Sequence, residues 1–176
     1  QARAGTDLGL AKSLWQVSNG NLLGLRNLLT GAAREFAAVR GTKRLPTALV
    51  VGEIYVRTNG FANDHIVARL EERGVRVKLV TCGEFIEYVD HVNRHENHRN
   101  GLAARIGTAA QERVRSVAHR IMTRELGGHD RVRVAETLAA ARGYVPESLQ
   151  GEAVLTVGAA LQHWRAGLID AVVNVG

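Results

Sequence analysis

Apolar positions along the chain fall into two kinds of pattern, and each predicts a different element. In residues 21–40, Leu22, Leu25, Leu29, Ala32, Phe36 and Val39 return every three or four residues, the spacing of one helix face. Residues 8–19 read as a preceding helix. Lys43-Arg44-Leu45-Pro46 is a connector in which Pro46 closes off any helix. Thr47-Ala48-Leu49-Val50-Val51-Gly52 is instead a short continuous apolar run, the signature of a strand covered on both faces. A helix starting at Asn63 or Asp64 runs to Arg73, and Gly74 stops it. Val75-Arg76-Val77-Lys78-Leu79-Val80 then alternates apolar and basic residues, which predicts a second strand nearer the sheet edge.

Strand, helix and strand in so short a stretch make a parallel unit the default. From Glu84 to about Leu126 the spacing is helical, in two pieces parted near Asn100-Gly101. Residues 132–142 form another helix, ended by Gly143-Tyr144-Val145-Pro146. Glu152 to Ala166 is a helix with Val154, Val157, Leu161 and Trp164 toward the core. Gly167 stops it, and Leu168 to Val175 is a third buried strand. The expected fold is α/β: an incomplete, Rossmann- or flavodoxin-like parallel sheet flanked by helices, with a helical segment before it. Because Val172-Val173-Asn174-Val175-Gly176 follows directly on a core strand, and domains seldom end there, the expectation is a piece of a larger protein. Residues 1–46 would be the helical segment and residues 47–176 the α/β domain.

Composition narrows the partners. The 23 basic residues against 17 acidic ones give +6, but 20 of them are Arg, spread along the chain and interleaved with Glu and Asp. A nucleic-acid surface needs a basic face with aromatic stacking platforms, and the few, well-separated aromatics do not supply it. No apolar run approaches the roughly 18–20 residues that span a bilayer, and no secretory signal opens the chain. A cytoplasmic protein without a membrane partner is expected. A lone cysteine, Cys82, excludes an internal disulfide and cannot ligate an iron–sulfur cluster by itself.

Candidate chemistry gathers after the first strand. In open α/β sheets the ligand crevice lies outside the carboxyl ends of the strands, and there the chain presents Glu53, Tyr55, Arg57, Asn59 and Asn63. Gly52 and Gly60 permit close backbone approach. Two readings stand side by side: a polar loop facing a ligand, or one in which Glu53 pairs with Arg57 and Asn63 merely caps the helix.

Gly52-Glu53-Ile54-Tyr55-Val56-Arg57 followed by Phe61-Ala62-Asn63 resembles a signature of the 2-hydroxyacyl-CoA (2-hydroxyglutaryl-CoA) dehydratase superfamily. The likeness is to the dehydratase-like part of acyl-CoA dehydratase activases and activase-related proteins. It continues at Glu84-Phe85-Ile86-Glu87-Tyr88, at Gly151 to Gly158 and at Asn174-Val175-Gly176, covering roughly residues 47–176 in order. The resemblance implies a 4Fe-4S cluster that receives an electron from an ATP-hydrolysing activator and dehydrates a 2-hydroxyacyl-CoA thioester through a ketyl radical. It also implies that further cluster ligands follow the strand ending at Gly176, so that this chain alone is inactive. Glu53, Arg57, Asn63, Glu84 and Glu152 would line the crevice or join its other half, with Arg57 meeting an anionic, thioester-linked group. The partners implied are the remaining domains of the parent protein, the ATP-dependent activator and an acyl-CoA. The competing reading is a non-catalytic interaction domain whose polar loop holds a neighbouring domain.

The other constellations are weaker. Glu87, His91, His95 and His98 share one helix face at spacings of four, four and three, enough for zinc or nickel. Asn93, Asn97 and Asn100 weaken that helix, however, and a solvated polar face accounts for the same spacing. His65, His119, His129 and His163 read as surface or capping residues, Cys82 as a small buried one, and Trp15, Tyr144 and Trp164 as packing residues. No phosphate-binding Gly-x-Lys-Ser/Thr loop and no nucleophile–His–Asp set can be assembled.

Overall fold

The computed structural model describes residues 2–19, 21–96, 101–127, 133–146, 149 and 151–176. The chain divides into two compact units, one made of residues 1–42 and 99–131 and the other of residues 43–98 and 132–176.

The second unit is α/β. Its strands are β1 (Thr47–Gly52), β2 (Arg76–Leu79) and β3 (Ala171–Val175), all parallel, in the order β2-β1-β3. The apolar run of β1 takes the central place because Ala48 to Gly52 are all buried there. Leu49 and Val51, two residues apart and so on one face, join Val80, Ala159 and Ile169 in a core cluster. Burial of each such Leu or Val contributes about 1.5–3 kcal/mol. Asp170 closes the start of the sheet: its carboxylate accepts from Thr47 N at 2.8 Å, and its own N–H donates to Thr47 O at 2.8 Å.

Between β1 and β2 lie α3 (Ile54–Thr58) and α4 (Ile66–Glu72); after β2 come α5 (Cys82–Glu96), α7 (Val134–Ala141) and α8 (Glu152–Arg165). Tyr88 of α5, Val134, Leu138 and Ala141 of α7, and Val154 and Leu155 of α8 form a second core cluster. Gly158 lets α7 and α8 close up, since a Cβ there would overlap the Thr137 carbonyl. That crossing sets the phase of α8. Its buried stripe is Val154, Leu155, Gly158, Ala159 and His163, not the expected Val154, Val157, Leu161 and Trp164. Trp164 is exposed, and buried His163 bonds through Nδ1 to Ala159 O at 2.8 Å.

Other expectations change too. β3 is a half-exposed edge rather than a buried strand, because among the described residues it pairs only with β1. Cys82 is exposed where α5 leaves the end of the sheet, and Trp15 and Tyr144 are exposed rather than packed. The segment expected to be loop between Glu53 and Asn59 holds the single helical turn of α3.

The first unit is helical. It consists of α1 (Ala2–Asn19), a 3-10 turn (Leu22–Gly24), α2 (Leu25–Ala38) and α6 (Leu102–Leu126). The expected helical segment 1–46 is therefore joined by α6, which was expected inside the α/β domain. Two arginines make this joining visible: Arg113 Nε donates to Ser18 O at 3.0 Å, and the Arg40 guanidinium bonds Leu126 O. No helix among the described residues is long and apolar enough to cross a membrane.

Candidate functional site at the end of the central strand

The chain leaves β1 toward β2 on one side, and β3 lies on the other. The carboxyl ends of β1 and β3 thus flank the point where strand order reverses, which is where open α/β sheets form their ligand crevice. Gly52 makes that point narrow. Its φ of 115° suits glycine, and a Cβ there would overlap the Val175 carbonyl. Gly176 lies against Glu53, where an added Cβ would stand 3.3 Å from Glu53 Cβ.

The residues singled out from the sequence do meet here, but most are turned onto the backbone. Glu53 is the N-cap of α3 and accepts from Val56 N at 2.8 Å. Glu152, at the start of α8, accepts from Ile54 N at 2.8 Å and so ties α8 to the loop after β1. Asn59 Oδ1 accepts from Phe61 N at 3.0 Å and Ala62 N at 3.2 Å. Asn63 donates to Val56 O at 2.8 Å and Arg57 O at 3.1 Å, and its Oδ1 accepts from Ile66 N at 3.3 Å. Asn63 is not the cap of the helix, as one of the two readings had it: α4 starts at Ile66 rather than at Asn63 or Asp64, its N-cap is His65, and Asn63 braces the turn before it. The expected Glu53–Arg57 pair does not form: each side chain serves the backbone instead. Tyr55 and Phe61 are left exposed, Phe61 at 91%.

Arg57 is the exception. It is 5% exposed, its Nη1 donates to Gly52 O, and its Nε–H is buried without a hydrogen-bond partner among the described residues. An unsatisfied buried donor costs about 1–3 kcal/mol, more when charged. Nearby, Glu84 of α5 is half-buried, and burial raises its pKa above the ordinary carboxylate value. The Thr137 hydroxyl and the Arg57 charge pull the other way, while Glu87 adds to the rise.

Thr137 Oγ1 stands 2.8 Å from Glu84 Oε1 and 3.1 Å from Gln162 Oε1. One hydroxyl hydrogen cannot serve both oxygens. Gln162 is held in its orientation by donating Nε2 to Glu136 Oε2 at 3.0 Å. The shorter contact takes the hydrogen: Thr137 donates to Glu84 Oε1, which favours the ionised carboxylate while burial opposes it. Thr137 and Gln162 carry this network, yet they lie 53 and 78 residues from Glu84 along the chain, and no local pattern announces them.

The histidine face is only partly visible. Glu87 and His91 sit on α5, whereas the His95 side chain and His98 lie outside the described residues. Among the described residues no group of three or more His, Cys, Asp or Glu side chains could hold a metal ion. A 4Fe-4S cluster needs several thiolates. With Cys82 as its one thiol, the donor set of this chain does not fit such a cluster. No family model matches the chain, and neither a curated protein nor a solved structure matches it.

Proposed function

We propose that this chain is the scaffold half of a dehydratase- or activase-related acyl-CoA site, whose cluster-binding thiolates come from outside the chain. The observation that carries the reading is Arg57. A guanidinium buried at the end of the central strand, with one donor lacking an acceptor, is a half-made contact. An acceptor supplied by a completing polypeptide or by an anionic thioester would finish it. The residues of the resembling signature, Gly52 to Arg57 and Phe61 to Asn63, build the turn that holds this guanidinium, which supports the same reading. An ATP-dependent activator would be the electron-donating partner, and a reducing cytoplasm the setting. This chain's own part is to fix the crevice wall and to present the unpaired Arg57 donor.

A second reading, a non-catalytic interaction domain, is favoured by a different observation. Glu53, Asn59, Asn63 and Glu152 all spend oxygens on the chain's own backbone, while Tyr55 and Phe61 stand exposed. Anaerobic reconstitution followed by iron and acid-labile sulfide assay separates the two. Stoichiometric cluster in the gene product continued past Gly176, and none in this chain alone, is the expected result. Absence of cluster from both forms removes the dehydratase-type reading. In a cluster-loaded protein, Arg57→Ala should abolish turnover with assembly intact; loss of assembly instead favours the interaction domain.

A further inference from the structure

The helical unit carries a cluster of its own. Arg113, Val117, Arg120, Ile121 and Arg124 follow one another on α6 at intervals of four, three, one and three, so they share a helix face. Arg26, from the first turn of α2, faces the same space. Together they line an open groove of about 580 Å³, within the roughly 300–1,000 Å³ of small-molecule sites. Among the described residues four guanidiniums line it and no carboxylate does. Among the described residues none of the four is in an ion pair, although the chain has 17 acidic residues to offer.

Packing and capping account for part of this arrangement only. Arg113 uses Nε on Ser18 O at the end of α1, and Arg124 sits in the last turn of α6, where a cation suits the helix dipole. Each guanidinium has five N–H donors, so Arg113 keeps four after that bond. Arg120 makes only a 3.4 Å contact to Ser116 O. Arg26 is on the wrong end of its helix: the first turn of α2 has no acidic residue, and the dipole there is already positive. Like charges gathered without counter-charge repel, and a fold that needed them only for solubility would have spread them.

We propose that this groove binds a small polyphosphate, a compound with two or more linked or neighbouring phosphate groups. Guanidinium forks match phosphate oxygens in pairs. From Arg113 to Arg124 the helix rises about 16 Å, room for several phosphates but not for a duplex lying along its own grooves. Among the described residues no aromatic side chain lines the groove to stack a base, which argues against a single-stranded nucleic acid. Val117 and Ile121 give the groove an apolar strip that an organic portion of the ligand would cover. The inference stands on a different unit from the strand-end crevice and is independent of that site's function.

The test is calorimetric titration of the full chain with inorganic tripolyphosphate and, separately, with a nucleoside triphosphate. Saturable one-to-one binding that weakens with salt is expected, with at least about a tenfold loss in Arg120→Gln and again in Arg26→Gln. Arg165→Gln, which removes an exposed arginine outside the groove, should bind as the parent does. Tighter binding of the nucleoside compound than of tripolyphosphate assigns the Val117–Ile121 strip to an organic moiety; equal binding assigns the site to the phosphates alone. Either of those supports the proposal. No saturation at millimolar tripolyphosphate overturns it, as does equal weakening by Arg165→Gln, which would mark general charge attraction. Binding confined to oligonucleotides also overturns it, in favour of a nucleic-acid surface. Because Arg120 and Arg26 sit on different helices, failure of one variant to fold leaves the other to decide.

Discussion

The two units treat their polar side chains in opposite ways. At the end of β1 most candidate residues are committed, Glu53 and Glu152 to backbone N–H groups and Asn59 and Asn63 to the turns on either side, while Arg57 bonds the Gly52 carbonyl and keeps one buried donor unpaired. In the α6 groove the guanidiniums are exposed and largely uncommitted. The difference separates two jobs that a sequence motif does not distinguish. A polar residue bound to its own backbone positions something else, and its loss costs stability. A polar residue left unpaired beside its like costs little to remove and is available to a ligand.

The comparison is tested hardest at Gly52. Alanine there would combine a positive φ with overlap on the Val175 carbonyl, and each of these faults costs about 1–3 kcal/mol. Gly52→Ala should therefore lose at least about 3 kcal/mol in urea denaturation of the α/β unit. A loss below about 1 kcal/mol would mean that β1 and β3 can part at the crevice, and that the committed site is looser than described.

Arg57 comes next. Arg57→Ala strips the Gly52 carbonyl of its side-chain donor, leaves a cavity and removes a positive charge that acts on Glu84. A loss of about 2–4 kcal/mol is expected. Arg57→Lys should recover only part of it, because an ammonium lacks the planar fork. If Arg57→Ala is as stable as the parent, the guanidinium is not a positioning element, and the contrast with the groove collapses.

How much of this was legible beforehand follows from how far apart the interacting residues lie. β1 could be read because a strand buried on both faces needs a continuous apolar run, and Leu49-Val50-Val51 supplies it. The crevice residues could be read because they sit within a few positions of that strand. Thr137 and Gln162 could not, since their partner Glu84 is remote and a buried hydroxyl resembles any other threonine in sequence. The phase of α8 was misread for a related reason: Trp164 fits the apolar period, but the close crossing at Gly158 rotates the helix and buries His163. The arginine groove was hidden by the same logic. Counted along the chain the arginines alternate with acids, and only the packing of α2 and α6 brings four of them together without one.

Glu84 sharpens the comparison through pH. Its folded-state pKa is raised, so the native state holds the proton more tightly than the unfolded chain does. Stability from this group is complete below the ordinary carboxylate value of 4.5 and is lost as pH rises through the raised value. Denaturation of parent and Glu84→Gln across a pH series should therefore diverge, with the variant's profile flatter and its stability at neutral pH at least equal to the parent's. Glutamine keeps an oxygen that accepts from Thr137 and removes the buried charge. A variant that loses stability equally at every pH would show that the carboxylate is ionised and needed in that form.

The smallest effect belongs to the groove. Arg26→Gln removes a cation from the positive end of α2 and from beside three others. No ion pair among the described residues is broken, so the change in stability should stay within about 0.5 kcal/mol. Its sign is the informative part. Relief of repulsion should raise the melting temperature slightly at low salt, and the gain should vanish near 1 M salt, where the screening length falls to about 3 Å. Tripolyphosphate should reverse the order, stabilising the parent by mass action more than the variant. A guanidinium retained for structure would give the opposite pattern, with loss of stability at every salt concentration and no response to the anion.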